Sequence, residues 1–365
     1  MNKKTIHINP GEKYRAIVIS DIHGHLEHLI KMIDVVELKA EDYLIILGDY
    51  VNRGPKSYET LQYMMRLCER PKTYILKGNH ESFMERPLRE DDHIGEIIEF
   101  LKTDPYETLW HAFAKKSQYD FYGCDDPESF RRHLLTTFSK ELKHLQERPI
   151  LMYFDDFLFV HGGYHKDFSI EEDETRFLKY DFFDQESGVQ DRPVIVGHFP
   201  ACILRDDILS NKPYFNEHKN IITIDGGLGV KGTGELNALI IEKDSQVIKY
   251  SNQQINDFEE VVVTRSHTFE EEVPVYVHWP NKEFKIIEKG PEMTLCKHCK
   301  SNKEFRVFNG LLDETEDESK LKIEFANTFL NLEAGTRVKK YKVFSDCVLV
   351  KHNDVFGWIK RDQIE

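Results

Sequence analysis

Aspartate, histidine and asparagine side chains cluster at three places in the first quarter of the chain, each directly after an apolar run. The first cluster spans Ser20 to His25, the second spans Gly48 to Gly54, and the third spans Lys77 to Glu81. Two later histidines, His161 and His198, follow apolar runs in the same way. Because these side chains are metal ligands, their repeated position after apolar runs predicts a metal site.

The candidate ligands offer carboxylate, imidazole and amide donors and no thiolate, a set that suits Mn²⁺ first, with Fe or Zn²⁺ as alternatives. They are Asp21, His23, Asp49, Asn79, His161 and His198. This set suffices for two ions if one carboxylate bridges them, and Asp49, on the middle strand of the first three, is the candidate bridge. Two divalent ions about 3.5 to 4 Å apart would lower the pKa of a shared water and stabilise the attacking and leaving oxygens at phosphorus. The pattern therefore predicts a metal-dependent hydrolase of phosphate esters, acting by attack of the activated water.

The apolar runs alternate with amphipathic helical stretches from Tyr14 to about Ile241, which predicts an α/β fold with a sheet covered by helices. In such a sheet ligands bind beyond the carboxyl ends of the strands, so the separate clusters are expected to converge. A helical insertion at about residues 82–147 is a candidate lid.

The pattern changes past Lys249, where short strands and turns replace helices. We expect a catalytic domain over residues 1–250, a linker over residues 251–272, and a smaller all-β barrel over residues 273–365. The segment Val348 to Lys360, with its Gly-Trp pair, resembles the last hairpin of bacterial Src-homology-3-like domains. That resemblance implies a barrel that binds a peptide or protein ligand.

Composition limits the class of protein. The chain has 365 residues, with 49 basic and 64 acidic side chains and a net charge of −15, which disfavours nucleic acid and anionic membranes as partners. No apolar run approaches the ~20 residues that span a bilayer, so a cytoplasmic location and no membrane partner are expected. The 6 cysteines are too sparse for a disulfide framework.

Taken in order, the motifs resemble those of the calcineurin-like metallophosphoesterases, over roughly residues 14–245, and are closest to the phosphoprotein phosphatase branch. They are Asp-x-His-Gly at Asp21, Gly-Asp-x-Val-x-Arg-Gly at Gly48, Gly-Asn-His-Glu at Gly78, His-Gly-Gly at His161 and Gly-His at Gly197. The resemblance implies a four-layer αββα sandwich. It also implies that the six candidate ligands hold two metal ions.

The resemblance further assigns Arg53 to binding the substrate phosphate and His80 to protonating the leaving oxygen. Two positions depart from the family pattern. Many members carry aspartate where this chain has Asn52, and an amide can orient His80 without stabilising its charged form. Many also carry arginine where this chain has Lys77, so a substrate contact from Lys77 would be a point charge and not a planar fork.

We expect hydrolysis of phosphate monoesters, with phosphoserine and phosphothreonine in proteins as the first substrates. Within the same fold, a dinucleoside polyphosphate hydrolase is the alternative, since some of those relatives also lack the aspartate at the Asn52 position. An alternative of another class is a phosphate-sensing binding module recruited through the C-terminal barrel. The residue that makes a second phosphate contact stays open among Arg176, Lys179 and Arg205.

Overall fold

The computed structural model describes residues 4–89, 93–270, 272–313, 320–345 and 347–364. The chain divides into two compact units. The first comprises Met1–Pro200 and Pro213–Asn256, and the second comprises Ala201–Lys212 and Asp257–Glu365. Within the described ranges, no helix is both long and apolar enough to cross a membrane.

The elements of the first unit alternate between strands and helices. Its strands are β1 (Thr5–Ile8), β2 (Lys13–Ile19), β3 (Tyr43–Ile46), β4 (Thr73–Ile75), β5 (Leu151–Phe154), β6 (Phe157–Val160), β7 (Val194–Val196), β8 (Tyr214–Asn216), β9 (Ile221–Thr223), β10 (Leu236–Asp244) and β11 (Val247–Ile255). Its helices are α1 (Leu26–Val35), α2 (Ser57–Leu67), α3 (Asn79–Met84), α4 (Ile94–Thr103), α5 (Leu109–Ser117), α6 (Pro127–Thr137), α7 (Ser139–Gln146), α8 (Thr175–Leu178) and α9 (Phe183–Glu186), with a 3₁₀ turn at Arg86–Leu88.

Two sheets stack face to face in this unit. One has the strand order β11-β10-β2-β3-β4 and the other has the order β1-β5-β6-β7-β9-β8. Alternation along β2 shows why they stack, because Ala16 and Val18 share a buried core with Phe159 of the other sheet, whereas Ile17 and Ile19 share a core with the helices α1 to α7. The outer face of the second sheet is covered by α8 and α9 through a further buried core. The four layers are those of the expected αββα sandwich.

The parallel strands of this sandwich end at one edge. Ile19 of β2 pairs with Ile46 of β3, and Ile46 pairs with Ile75 of β4. In the second sheet, β6 and β7 are likewise parallel, with Phe159 opposite Ile195. The chain therefore leaves β2, β3 and β4 side by side, and the polar clusters that follow them start from neighbouring points.

The helical insertion is an extension of the helical layer. Buried side chains of α5 and α7, including Trp110 and Leu142, share one core with Leu61 and Met64 of α2. The insertion therefore shares the core of the first unit, and its role as a lid stays a prediction.

Residues 251–255, predicted to begin a linker, continue an edge strand. β11 pairs with β10 along its whole length, from Val247 opposite Asp244 to Ile255 opposite Leu236. Its side chains are mostly exposed or half-buried. Polar residues are tolerated there because the backbone bonds to β10 require no apolar side chains, which is why composition misidentified the segment.

The second unit is rich in β-structure but forms separate sheets. Its elements are β12 (Glu259–Val262), β13 (Tyr276–Val277), β14 (Phe284–Lys289), β15 (Met293–His298), β16 (Glu304–Phe308), β17 (Phe325–Ala326), β18 (Arg337–Phe344), β19 (Cys347–His352) and β20 (Val355–Lys360), with 3₁₀ turns at Ala201–Leu204, Asn309–Leu311 and Arg361–Gln363. The sheets are β12-β18-β19-β20, β13-β17 and β14-β15-β16. Among the described residues of this unit no sheet closes on itself, so the predicted barrel is not confirmed.

The C-terminal hairpin is well defined. His352 pairs with Val355 across the two-residue turn Asn353-Asp354, whose φ angles are 47° and 66°. Left-handed angles at both positions are typical of a type I′ turn, and asparagine and aspartate tolerate them well. Hairpins of this kind occur in many folds, so this one does not by itself identify a Src-homology-3-like domain.

Candidate metal centre

The strand-end clusters converge around Asp49. Its Oδ2 lies 3.2 Å from His161 Nε2 and 4.0 Å from the Nε2 atoms of His23 and His80. Two groups of potential ligand atoms each fall within 4.8 Å, namely His23-Asp49-His80 and Asp49-His161-His198. Asp49 is common to both groups, which is the position required of a bridging carboxylate.

The other expected ligands adjoin these groups. Asp21 Oδ1 lies 3.9 Å from His23 Nε2, and Asp21 Oδ2 accepts the His198 backbone N–H at 3.0 Å. Asn79 Oδ1 lies 3.0 Å from His161 Nε2. All six candidate ligands therefore lie in one cluster built from five segments of the chain.

The cluster fits divalent cations in charge and in donor type. Asp21 Oδ1 and Asp225 Oδ2 are buried without a hydrogen-bond partner among the described residues. Burial, reinforced by Asp225, raises the pKa of Asp21 well above its usual range, and burial raises the pKa of Asp225 to about 6. Buried carboxylates lacking a compensating charge are costly, and bound cations would supply that charge. Carboxylate, imidazole and amide oxygen donors suit Mn²⁺, Fe or Zn²⁺.

Backbone strain is concentrated at the same place. Six of the predicted site residues have left-handed φ angles: Asp21 (55°), His23 (46°), Asp49 (51°), Asn52 (67°), Arg53 (69°) and His198 (65°). Non-glycine residues rarely adopt this region, and such strain is found mainly at functional sites. Close packing of the loops also requires glycine at two positions. A Cβ on Gly78 would lie 2.2 Å from Asp49 Oδ1, and a Cβ on Gly197 would lie 2.4 Å from Asp21 Oδ2.

Glu81 organises the second motif loop. One carboxylate oxygen accepts the backbone N–H groups of Asp49 and Gly78 at 2.7 and 2.8 Å, and the other accepts those of Tyr50 and Val51 at 2.9 and 3.3 Å. Glu81 is fully buried, and burial followed by the Asp49 charge raises its pKa to about 7. Sequence reasoning assigned no role to Glu81, although its place in Gly-Asn-His-Glu was a signal.

Arg53, His80 and Asn52 lie together beside the cluster. Asn52 Oδ1 accepts the Leu109 N–H at 2.7 Å, so its NH₂ group faces His80 Nδ1 at 2.9 Å and donates to it. Arg53 Nε–H donates to His80 Nε2 at 3.3 Å, so both ring nitrogens of His80 face donors. Burial, opposed by Asp49 and reinforced by Arg53, lowers the pKa of His80 to about 4.

Lys77, predicted to bind substrate, is engaged elsewhere. Its ammonium is buried and bonds to Glu85 at 2.8 Å, with 5% of each side chain exposed. A buried ion pair of this kind accounts for Lys77 without a phosphate contact.

The three candidates for a second phosphate contact differ in their surroundings. Arg176 bonds to Asp173 at 3.2 Å and lies over the Phe168 ring. Arg205 belongs to the second unit. Of the three, Lys179 is the one that packs against the His-Gly-Gly motif. A Cβ added to Gly162 of that motif would lie 2.8 Å from the Lys179 backbone nitrogen.

Asp181 is a further site residue that sequence reasoning missed. Its Oδ1 lies 2.7 Å from His198 Nε2, which orients the ring and leaves Nδ1 as the other potential ligand atom. No local pattern marked Asp181, because its separation of 17 positions from His198 matches no motif spacing.

The chain is also similar to several known proteins. Residues 14–219 match the model of the family described as calcineurin-like phosphoesterase. Over 111 residues the chain is 38% identical to a symmetrical bis(5'-nucleosyl)-tetraphosphatase of Pseudomonas fluorescens, a match covering 28% of this chain and 38% of that protein. Over 66 residues it is 39% identical to the serine/threonine-protein phosphatase 2B catalytic subunit A1 of Saccharomyces cerevisiae, covering 18% and 12% of the two chains. The chain spans less than half the length of the curated relatives it matches.

Among solved structures, a protein serine/threonine phosphatase from Saccharomyces cerevisiae is similar with a TM-score of 0.43 and 13% identity. That match covers 71% of this chain and 86% of the other.

Proposed function

Since the chain belongs to the calcineurin-like phosphoesterase family, we propose that it is a binuclear-metal-dependent phosphatase that hydrolyses phosphate monoesters, with phosphoserine and phosphothreonine in proteins as the first candidate substrates. The observation that carries the proposal is the position of Asp49, which is shared by two groups of ligand atoms, one of them containing His80, which Arg53 contacts at 3.3 Å.

Each residue of the cluster has a chemical role in this proposal. Asp21, His23, Asp49, Asn79, His161 and His198 would hold two divalent ions, with Mn²⁺ as the first choice. Ions bound there supply Lewis acidity and neutralise charge on the phosphate. Arg53 binds phosphate oxygens through its planar fork. His80 protonates the leaving oxygen, and Asn52 orients its ring through Nδ1.

The test is a hydrolysis screen of the full-length protein after exposure to Mn²⁺, with phosphoserine and phosphothreonine peptides and an aryl phosphate as substrates. We expect turnover that chelation abolishes and Mn²⁺ restores. Elemental analysis is expected to find two metal ions per chain. Absence of bound metal after exposure to Mn²⁺ would contradict the proposal.

A dinucleoside polyphosphate hydrolase is the second candidate, favoured by the Asn52–His80 contact. An amide bonded to Nδ1 cannot stabilise an imidazolium as a carboxylate does, so proton donation to a serine alkoxide would be weakly supported. A phosphate group leaves readily without that proton. Comparing kcat/KM for diadenosine tetraphosphate and for phosphoserine peptides discriminates the two candidates.

A further inference from the structure

The loop between α4 and α5 brings an exposed aromatic side chain to Arg53. The centroid of the Tyr106 ring lies 5.9 Å from Arg53 Cζ, within the range of a cation–π contact. Arg53 in turn contacts His80 at 3.3 Å. Two contacts therefore link the Tyr106 ring to the residue proposed to protonate the leaving oxygen.

The loop that carries Tyr106 is anchored on both sides. The Tyr106 N–H donates to Asp104 Oδ1 at 2.9 Å. On the other side, Thr108 is the N-cap of α5 and donates its N–H to His111 Nδ1 at 3.1 Å. The next residue, Leu109, donates its N–H to Asn52 at 2.7 Å, which ties the loop to the residue that precedes Arg53.

The exposure of Tyr106 contrasts with the burial of its neighbours. Tyr106 is 51% exposed, whereas Leu109 and Trp110, which start the adjoining helix, are fully buried. An exposed tyrosine alone needs no explanation. This one lies on a fixed loop beside the arginine proposed to bind phosphate, so an aromatic face and a phosphate-binding fork are offered to the same ligand.

We propose that Tyr106 is a substrate-binding residue that stacks on a nucleobase while Arg53 binds the attached phosphates. Stacking of a base on an aromatic side chain requires no particular base, because every base has a π-face. The inference rests on the second candidate of the proposed function, hydrolysis of dinucleoside polyphosphates, and phosphorylated protein is the alternative that the test addresses.

Binding measurements test the inference independently of turnover. Affinities of AMP and of inorganic phosphate are measured calorimetrically for the full-length wild type and for Tyr106→Ala, Tyr106→Phe and Tyr122→Ala. Tyr122 is a matched control, because it is a 66% exposed tyrosine in the same helical insertion. We expect Tyr106→Ala to weaken AMP about 10-fold, the scale of one stacking contact, with phosphate affected less than about twofold. Tyr106→Phe keeps the ring and should restore AMP binding, and Tyr122→Ala should change neither ligand.

Kinetics then separate the inference from the proposed function. The same variants are assayed on diadenosine tetraphosphate, inorganic tripolyphosphate and a phosphoserine peptide. A loss for Tyr106→Ala confined to diadenosine tetraphosphate supports the inference. Three results would overturn the inference. Tyr106→Ala could lower turnover of tripolyphosphate as much as that of diadenosine tetraphosphate, it could lower turnover of the peptide alone, or it could leave the affinity for AMP unchanged. A wild-type protein that binds AMP through Tyr106 but hydrolyses none of the substrates would contradict the proposed function and leave the nucleobase contact standing.

Discussion

Buried polar side chains at the strand-end edge of the first unit differ in their hydrogen bonding from Asn327, a buried amide of the second unit. At the edge, Asp21 Oδ1 and Asp225 Oδ2 are buried with no hydrogen-bond partner in the described ranges. In the second unit, the buried Asn327 accepts the Val275 N–H at 2.7 Å and donates to the Val273 carbonyl at 3.0 Å. The first arrangement leaves carboxyl oxygens available to a ligand, and the second satisfies the chain itself.

The difference shows which part of the molecule is built for binding and which for stability. Unsatisfied carboxylates and left-handed backbone each destabilise a folded chain unless a ligand or dense packing compensates them. Both occur together around Asp49. Satisfied buried amides stabilise one packing arrangement and offer nothing to a substrate. Four substitutions test this contrast, in order of their expected effect on turnover.

Asp49→Asn removes the carboxylate shared by the two groups of ligand atoms. We expect turnover of aryl phosphate to fall by more than about 100-fold, beyond the range typical of residues that only orient a ligand. Elemental analysis should show fewer than two Mn²⁺ ions per chain. Asn79→Ala is the comparison, and a larger loss for that variant would show that the bridge is misassigned.

Glu81→Gln replaces an acceptor of four backbone N–H groups by one that turns an NH₂ toward two of them. We expect Mn²⁺ affinity to fall about 10- to 100-fold, because the loop carrying Asp49 loses its support. The free energy of unfolding should fall by about 1–3 kcal/mol. Glu59→Gln, on the exposed side of α2, is the control; similar losses in both variants would refute the organising role.

Asn52→Asp should retain the bond to the Leu109 N–H, since a carboxylate oxygen still accepts it, and should draw a proton to His80 Nδ1. We expect turnover of phosphoserine peptides to rise about 10-fold relative to that of aryl phosphate, whose leaving group needs less protonation. The measurement is kcat/KM for both substrates across pH. Equal changes on both would assign Asn52 only to holding the start of α5.

Trp358→Ala tests the second unit. Trp358 is 1% exposed and donates its Nε1–H to the Ala326 carbonyl at 2.9 Å. We expect a loss of about 3–5 kcal/mol in the stability of this unit, measured by urea unfolding. Turnover of aryl phosphate at 25 °C should change less than about twofold. A fall in turnover that parallels the loss of stability would show that the second unit contributes to the site.

The sequence predicted the candidate site best where the position of a ligand depends only on its place along the chain. Asp21, Asp49 and Asn79 each follow a buried strand within a few residues, and parallel strands end together, so the order of residues along the chain was enough to predict their convergence. Prediction failed where an assignment depended on the neighbour of a strand or on the closure of a sheet into a barrel. Polar composition made residues 251–255 look like a linker, although β10 supplies every backbone bond that a strand requires there.

The sequence by itself therefore determined the ligand types, the edge at which they gather and the kind of reaction they suit, because spacing along the chain sets those properties. Only the tertiary structure decided which side chains meet across the fold. It paired Lys77 with Glu85, His198 with Asp181, and brought Tyr106 to Arg53. The physical reason is that such contacts depend on how helices and loops pack, and packing leaves no periodic signal in the residues that meet.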